Sequence, residues 1–391
     1  MAQVFFRDFP RPTPRPIIVT TLSGNDSLIA NLHLRHSSIT GLLIIGHRNT
    51  AREILIESTN WLGSLDFPAV QIGFSAMRCN SSNASNFDPG ICGHDLSLHA
   101  RPTLGASARY RSPAGESNVL TRLTVAGTGG GAIVTSQLAN EVSFSRIVDG
   151  QLIGLDQAGI HADNLGAHGF PADPLPLCVQ PKSGLLATGG NCSKFWHHNW
   201  VFRQREKCVR GDDGTVGLHV HHNVIFDCGI GPPSMSSQRA SPCGAMFKGD
   251  WNSFYQNTIW NTRGQGDLVV DTRHGPPCSV TGCAAENSHS VFLNSAQRRI
   301  ATKGPHGWRC GNFSASVGIV GGMVHADNLT ELNLRNPANF DFRPAPGSLL
   351  RGAGVKYPPY VSSIRPDVGA YQGDELAWIA GCTFHPDCDP R

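Results

Sequence analysis

Four Asp residues recur in one short context: Ile160-His161-Ala162-Asp163, Val209-Arg210-Gly211-Asp212, Phe247-Lys248-Gly249-Asp250 and Leu268-Val269-Val270-Asp271. Each reads apolar, any residue, small residue, Asp. Strand side chains alternate, so the apolar and small positions face inward, leaving His161, Arg210, Lys248 and Val269 outward with the Asp residues two places on. One sheet face then carries a column of carboxylates beside a column of cations, continued by Asp213 and Asn164. Carboxylates stacked about 4.8 Å apart repel unless a cation or a shared proton intervenes. Asp163, Asp212, Asp213 and Asp250 could hold Ca²⁺ through hard oxygen ligands. Lys248 or Arg210 could serve as a base, with His161 an alternative base or acid. Asp271 and Asn164 would line the same face as substrate-binding groups. The competing reading has each Asp cap a turn through Asx hydrogen bonds. That reading leaves the neighbouring His161, Arg210 and Lys248 unexplained.

The elements that must position these residues are short β-rich runs, such as Gly41-Leu42-Leu43-Ile44-Ile45, separated by Gly, Asn, Asp and Pro clusters. The 391 residues include 44 Gly and 26 Pro, charged residues are 16% and hydrophobic residues 40%, enough apolar material for a core. A net charge of +3 is too weak and too evenly spread for a nucleic-acid surface. No apolar run reaches the roughly 18 residues of a membrane span. A second register repeats an Asn after Trp196-His197-His198, Val220-His221-His222 and Phe254-Tyr255-Gln256, at Asn199, Asn223 and Asn257, with Asn294 a weaker fourth copy. Repeats near 21–24 residues, built from strands with loops of variable length, indicate a β-solenoid.

At this point the chain resembles the right-handed parallel β-helix superfamily that includes pectate lyases and other polysaccharide-active proteins. The Asn register resembles its internal Asn ladder. The stretch from Asn336-Pro337-Ala338-Asn339-Phe340-Asp341-Phe342 to Arg365-Pro366-Asp367-Val368-Gly369-Ala370-Tyr371 is similar to a terminal signature of many such proteins. The expected architecture is one all-β, right-handed parallel β-helix over 1–373, clearest over 126–300. Disulfide-containing loop insertions and a 374–391 tail with Cys382 and Cys388 complete it, and Pro344 to Pro366 is expected to cover the last coil.

Family lyases set a Lys or Arg beside acidic calcium ligands, so the resemblance implies β-elimination on an acidic, uronate-containing polysaccharide, by a monomer without nucleic-acid or membrane partners. No intact lyase motif is present. Two alternatives stay open. A glycoside hydrolase would pair Asp212 with Asp163 or Asp250, at about 5 Å for adjacent coils or about 10 Å for alternate ones. A non-catalytic β-helix would use the same column as a passive glycan-binding face. His197/His198 and His221/His222 read as stacked residues supporting the Asn ladder in preference to a metal set, and Trp196 as core in preference to a sugar platform. Twelve Cys, with Cys79/Cys92, Cys178/Cys192, Cys278/Cys283 and Cys382/Cys388 close together, and six N-x-[ST] sequons favour an oxidising, secretory environment. Met1 to Pro16 nonetheless lacks an apolar run of signal-peptide length. Long Pro-rich segments, Leu165 to Ser193 and Gly229 to Gly244 with its Cys243, are expected to wall a groove over the Asp column.

Overall fold

Two columns of single residues at positive φ bend the short strands into coils. Phe144, His198, His222, Gln256 and Asn294 (φ 47–55°) form one column, and Asp149, Arg203, Asp227 and Asn261 (φ 49–54°) the other. A left-handed residue turns the chain sharply without a loop, and Asn, Asp and His are the side chains that tolerate it best. The computed structural model that shows this describes residues 19–61, 68–72, 117–135, 139–153, 157–162, 194–212, 215, 217–231, 242–248, 252–264, 266–271, 290–297, 300–304, 307–310, 324–325, 333–356, 363, 365–373, 376, 378–388.

Three faces result. The first is a ten-stranded sheet running through Thr20–Leu22, Leu42–Ile44, Val70–Ile72, Ile133–Thr135, Ala158–Ala162, Lys207–Gly211, Cys243–Phe247, Gly266–Asp271 and Ile300–Gly304, with Gly307–Cys310 added antiparallel at its end. A fourteen-stranded sheet supplies the other two. Its early strands, Leu28–Arg35, Thr50–Glu57 and Val119–Ala126, run through both faces unbroken. Val119–Ala126 then pairs with Glu141–Ser143 along its first half and Arg146–Gly150 along its second. From there the second face continues through Lys194–His197, Leu218–His221, Ser253–Tyr255 and Val291–Leu293. The third continues through Trp200–Gln204, Val224–Cys228, Thr258–Trp260, Ala296–Gln297 and Val324–His325. Apart from the added strand, every pairing in these sheets is parallel, and the fold is a right-handed parallel β-helix. No helix among the described residues is long and apolar enough to cross a membrane.

Turning the chain inside a solenoid strands backbone amides away from water, and Asn answers both halves of that deficit. The Asn199 Oδ1 accepts from Ser145 N, Asn223 Oδ1 from Asn199 N and Asn257 Oδ1 from Asn223 N, each at 2.9 Å. Their Nδ2 groups donate to the carbonyls of Val142, Trp196 and Val220 at 2.8–2.9 Å. Ser145 and Ser295 end the ladder with hydroxyls that accept from Leu123 N and Asn257 N. Asn294 is therefore not the fourth rung. It stands one residue earlier, at positive φ, and its amide clasps the backbone of Val355 at 2.8 Å in both directions. A second ladder, through Asn49, Asn118 and Asn140, supports the entry to the second face in the early coils.

The first-face register also differs from the sequence reading. His161 pairs with Arg210 as expected, but Arg210 pairs with Met246 and Gly211 with Phe247. Lys248 therefore stands in the row of Asp212, two residues from its expected place. Asp271 follows in the row of Lys248, and Lys303 in the row of Asp271. A slip of two keeps every apolar side chain inside, so hydrophobic pattern cannot detect it.

Cysteine pairing differs too. Cys208–Cys228 ties the first face to the third within one coil, while Cys243 is a free, buried thiol on a first-face strand, pushed up to about 12 by burial. Its expected role in a disulfide-fixed loop is withdrawn. Cys382–Cys388 forms as expected, and the other grouped cysteines lie outside the described residues.

The third face is apolar outside as well as inside. Trp200, Phe202 and Phe226 point away from the interior and are covered by Phe340, Phe342, Leu350, Val368, Ala370 and Tyr371 from the C-terminal segment. That segment runs sideways along the coils and does not merely close the last one. Thr383 donates to Glu53 at 2.7 Å, and Thr124 donates to the Cys388 carbonyl at 2.9 Å. Within it, Asp367 accepts from the amides of Gly352 and Gly373, and Gly369, at φ 118°, lies where a Cβ would sit 2.8 Å from Thr258 Oγ1. These contacts account for the terminal sequence signature.

Asn223→Ala removes an acceptor and a donor from a buried ladder, orphaning backbone groups at roughly 1–3 kcal/mol each. Chemical denaturation should show a loss of about 2–4 kcal/mol, and Asn294→Ala, at the ladder's outer neighbour, a smaller one.

Candidate functional site

The described part of the Asp column converges on a single carboxylate. Asp212 accepts from Arg210 Nη2 at 2.7 Å (Oδ2) and 2.8 Å (Oδ1), from Lys248 Nζ at 3.0 Å and from His161 Nε2 at 3.2 Å. His161 projects from Ala158–Ala162, Arg210 and Asp212 from the end of Lys207–Gly211, and Lys248 follows Cys243–Phe247, so three successive coils meet at this point. The two-residue slip is what permits it. With Lys248 level with Asp212, cation and carboxylate alternate along a row that would otherwise hold like charges.

The four side chains keep only 6–17% of their surface in water although they sit on the outer side of the sheet. Burial is the largest influence on Asp212 and would raise its pKa. Arg210, the His161 hydrogen bond and charge, and Lys248 together outweigh it and hold the carboxyl well below the usual range. Two fixed cations and an imidazole thus gather at one carboxylate on the outer side of the sheet. Side chains of these types are the ones that recognise anions.

Of the residues singled out from sequence, His161, Arg210, Lys248 and Asp212 are brought together. Asp163, Asn164, Asp213 and Asp250 lie outside the described residues, and for Asp271 only its backbone place opposite Lys303 is described. Both Asp212 oxygens are engaged by cationic donors, and Asp163, Asp213 and Asp250, the other carboxylates expected to hold calcium, lie outside the described residues. Among the described residues no group of three or more His, Cys, Asp or Glu is arranged to hold a metal.

Sequence reasoning treated as mere support a feature that is chemically distinctive. On the second face and its edge, imidazoles stack in parallel columns: His197 on His221 at 5.0 Å, and His198 on His222 at 5.1 Å. Phe144 caps the second column at 4.8 Å and Tyr255 extends the first at 4.8 Å. Within each coil the two Nδ1 atoms are 2.9 Å apart. Burial, then the neighbouring His197, pushes His198 down to about 4, and burial, then His198 and His197, pushes His222 down to about 3. Trp196 is core, and Trp200 lies beneath the C-terminal segment, so neither is a sugar platform.

No family model matches the chain, and no curated protein matches it. Among solved structures it is similar to pectate lyase Pel9A, with 10% identity, a TM-score of 0.38 and coverage of 87% of this chain and 69% of that one. A complex of XylC with xylose gives 12% identity, a TM-score of 0.37 and coverage of 71% and 42%. The PL6 family alginate lyase AlyGC gives 8%, 0.28, 71% and 40%.

Removing Asp212 leaves two or three cations facing one another with little water. Asp212→Ala should cost about 3–5 kcal/mol in chemical denaturation, and adding Lys248→Met should recover part of that loss. The imidazole columns set a pH dependence with a definite sign. Folded pKa values below the ordinary 6.5 mean that the unfolded chain binds more protons as pH falls. Stability should be level above about pH 7 and drop between about pH 6.5 and 4, and His222→Phe should flatten the drop. Glu141, His219 and Tyr255 are the other titratable groups around these rings.

Proposed function

We propose that the chain is a secreted carbohydrate-active protein that cleaves a uronate-containing polysaccharide by β-elimination. The cationic charge of Arg210 and Lys248 beside His161 at Asp212, on the outside of a parallel β-helix, carries this reading. A uronate carboxylate meeting that charge has its negative charge offset, which lowers the cost of the enolate-like intermediate formed when the C5 proton leaves. Of the three basic groups, only an imidazole can donate from one ring nitrogen while the other accepts, so His161 is assigned as the base. With Nε2–H donated to Asp212, its Nδ1 accepts the C5 proton. The C4–O bond then breaks, and the leaving oxygen takes a proton from water. Arg210 and Lys248, held as cations by Asp212, bind and polarise. Disulfides Cys208–Cys228 and Cys382–Cys388 support an oxidising compartment. This reading routes no step through calcium.

One observation favours a second reading, in which the chain binds an acidic glycan without cleaving it. Each cation of the cluster is paired with Asp212, and each is one-tenth exposed or less. A hydrolase would need a second carboxylate beside Asp212, and its expected partners, Asp163 and Asp250, lie outside the described residues.

Incubation with polygalacturonate or alginate should release unsaturated, ultraviolet-absorbing products. Arg210→Ala and Lys248→Ala should each lower that rate by about 100-fold or more, and His161→Ala should do likewise. If the intact protein releases none from any uronate polymer, the elimination reading fails. Retardation of the same protein on an anionic-glycan gel would then support the binding reading.

A further inference from the structure

We propose that the His197–His198 and His221–His222 dyads form a two-rung site for a late divalent transition metal, Cu²⁺ foremost, each rung binding one ion through its paired Nδ1 atoms with water completing the coordination.

Two nitrogens about 2.0 Å from one ion and at right angles around it stand about 2.8 Å apart. Both dyads hold their Nδ1 atoms 2.9 Å apart, so an ion can replace the shared proton without moving the backbone. The second observation is a carboxylate behind one ligand. Glu141 Oε1 lies 3.3 Å from His197 Nε2 and itself accepts from Ser143 Oγ at 2.7 Å. An Nε2–H donated to Glu141 leaves the Nδ1 lone pair of His197 directed at the dyad, the arrangement that orients and strengthens a metal-bound imidazole. His198 then supplies the shared proton, which moves to its own Nε2 when the ion binds, so no proton is lost from the rung.

The stacking fixes the stoichiometry. Ring centroids of successive rungs are 5.0–5.1 Å apart, too far for one ion to take all four nitrogens at about 2.0 Å. No three His, Cys, Asp or Glu side chains close on one point among the described residues, so each rung offers two protein ligands, from rings that are partly exposed. A cis-bis-imidazole site suits tetragonal Cu²⁺, with Ni²⁺ and Zn²⁺ weaker, in the order such nitrogen donors impose. The site lies on a different face from the Asp212 cluster, so its test stands apart from the elimination reading.

Metal-free full-length protein, titrated with Cu²⁺ alone and followed by calorimetry and electron paramagnetic resonance, should bind one or two ions with hyperfine splitting from two nitrogens each. Phe144 already fills the next rung of the His198 column at φ 49°, so His198→Phe and His222→Phe keep both backbone and stack. Each should weaken Cu²⁺ binding at its own rung by about 10-fold or more, and the double variant should abolish the two-nitrogen signal while unfolding like the parent. The proposal is overturned if the parent takes up no Cu²⁺ at micromolar concentration, or if the double variant binds as tightly, which would place the metal at others of the 17 His.

Discussion

Everything in this molecule depends on turning a chain inward without leaving its amides bare. Positive-φ residues make the bend, and the Asn ladder satisfies the groups the bend exposes to the interior. Each Asn in the run Asn199–Asn223–Asn257 gives its side chain to the backbone of the preceding coil and its own N–H to the next rung, so one ladder residue joins its turn to both neighbours. Position on every face follows from that anchoring. The Asp212 cluster exists because three coils stay in register long enough for side chains from each to reach one carboxylate. The imidazole columns exist because the residue just before the ladder is always the one at the bend.

The ladder was legible in the sequence because its residues are chemically marked and immediately preceded by repeated letters. Its end was not. Ser295 does the work of an Asn with a hydroxyl, and the nearby Asn294 drew the reading one place off. The site was legible in kind and misaligned in detail. His161 and Arg210 pair as read, yet Lys248 belongs with Asp212, because a parallel strand shifted by two buries the same face. Electrostatics discriminates between those registers where hydrophobicity does not. One places Lys248 beside Asp212, and the other stacks Asp250 on it about 4.8 Å away. Cys208–Cys228 escaped notice because proximity along the chain is a poor guide in a solenoid. Residues 20 apart in sequence can be neighbours across one coil, with Cα atoms 5.7 Å apart.

Two polar arrays thus occupy adjacent faces and differ in character. The Asp212 cluster is charged, with its carboxyl locked in the ionised form by three partners. In the imidazole columns, burial and neighbouring rings push His198 and His222 toward the neutral form. Charge repulsion is resolved by pairing in the first case and by disfavouring the proton in the second.

The C-terminal segment has a consequence for biosynthesis. Its contacts with Glu53 and Thr124 link positions 330 and 264 residues apart. Until the segment from Leu334 to Tyr371 leaves the ribosome, Trp200, Phe202 and Phe226 have no cover, although the coils carrying them have long been synthesised. Growth of the solenoid through its coils therefore yields a string of finished turns with one greasy flank. That segment acts as a completion check, and a chain truncated ahead of it would be a folded helix in search of any apolar surface. The same strap limits evolutionary change. A coil cannot be added or deleted between Thr124 and Asn294 without recutting the segment that spans them, so coil number is fixed here in a way that open repeat arrays are not.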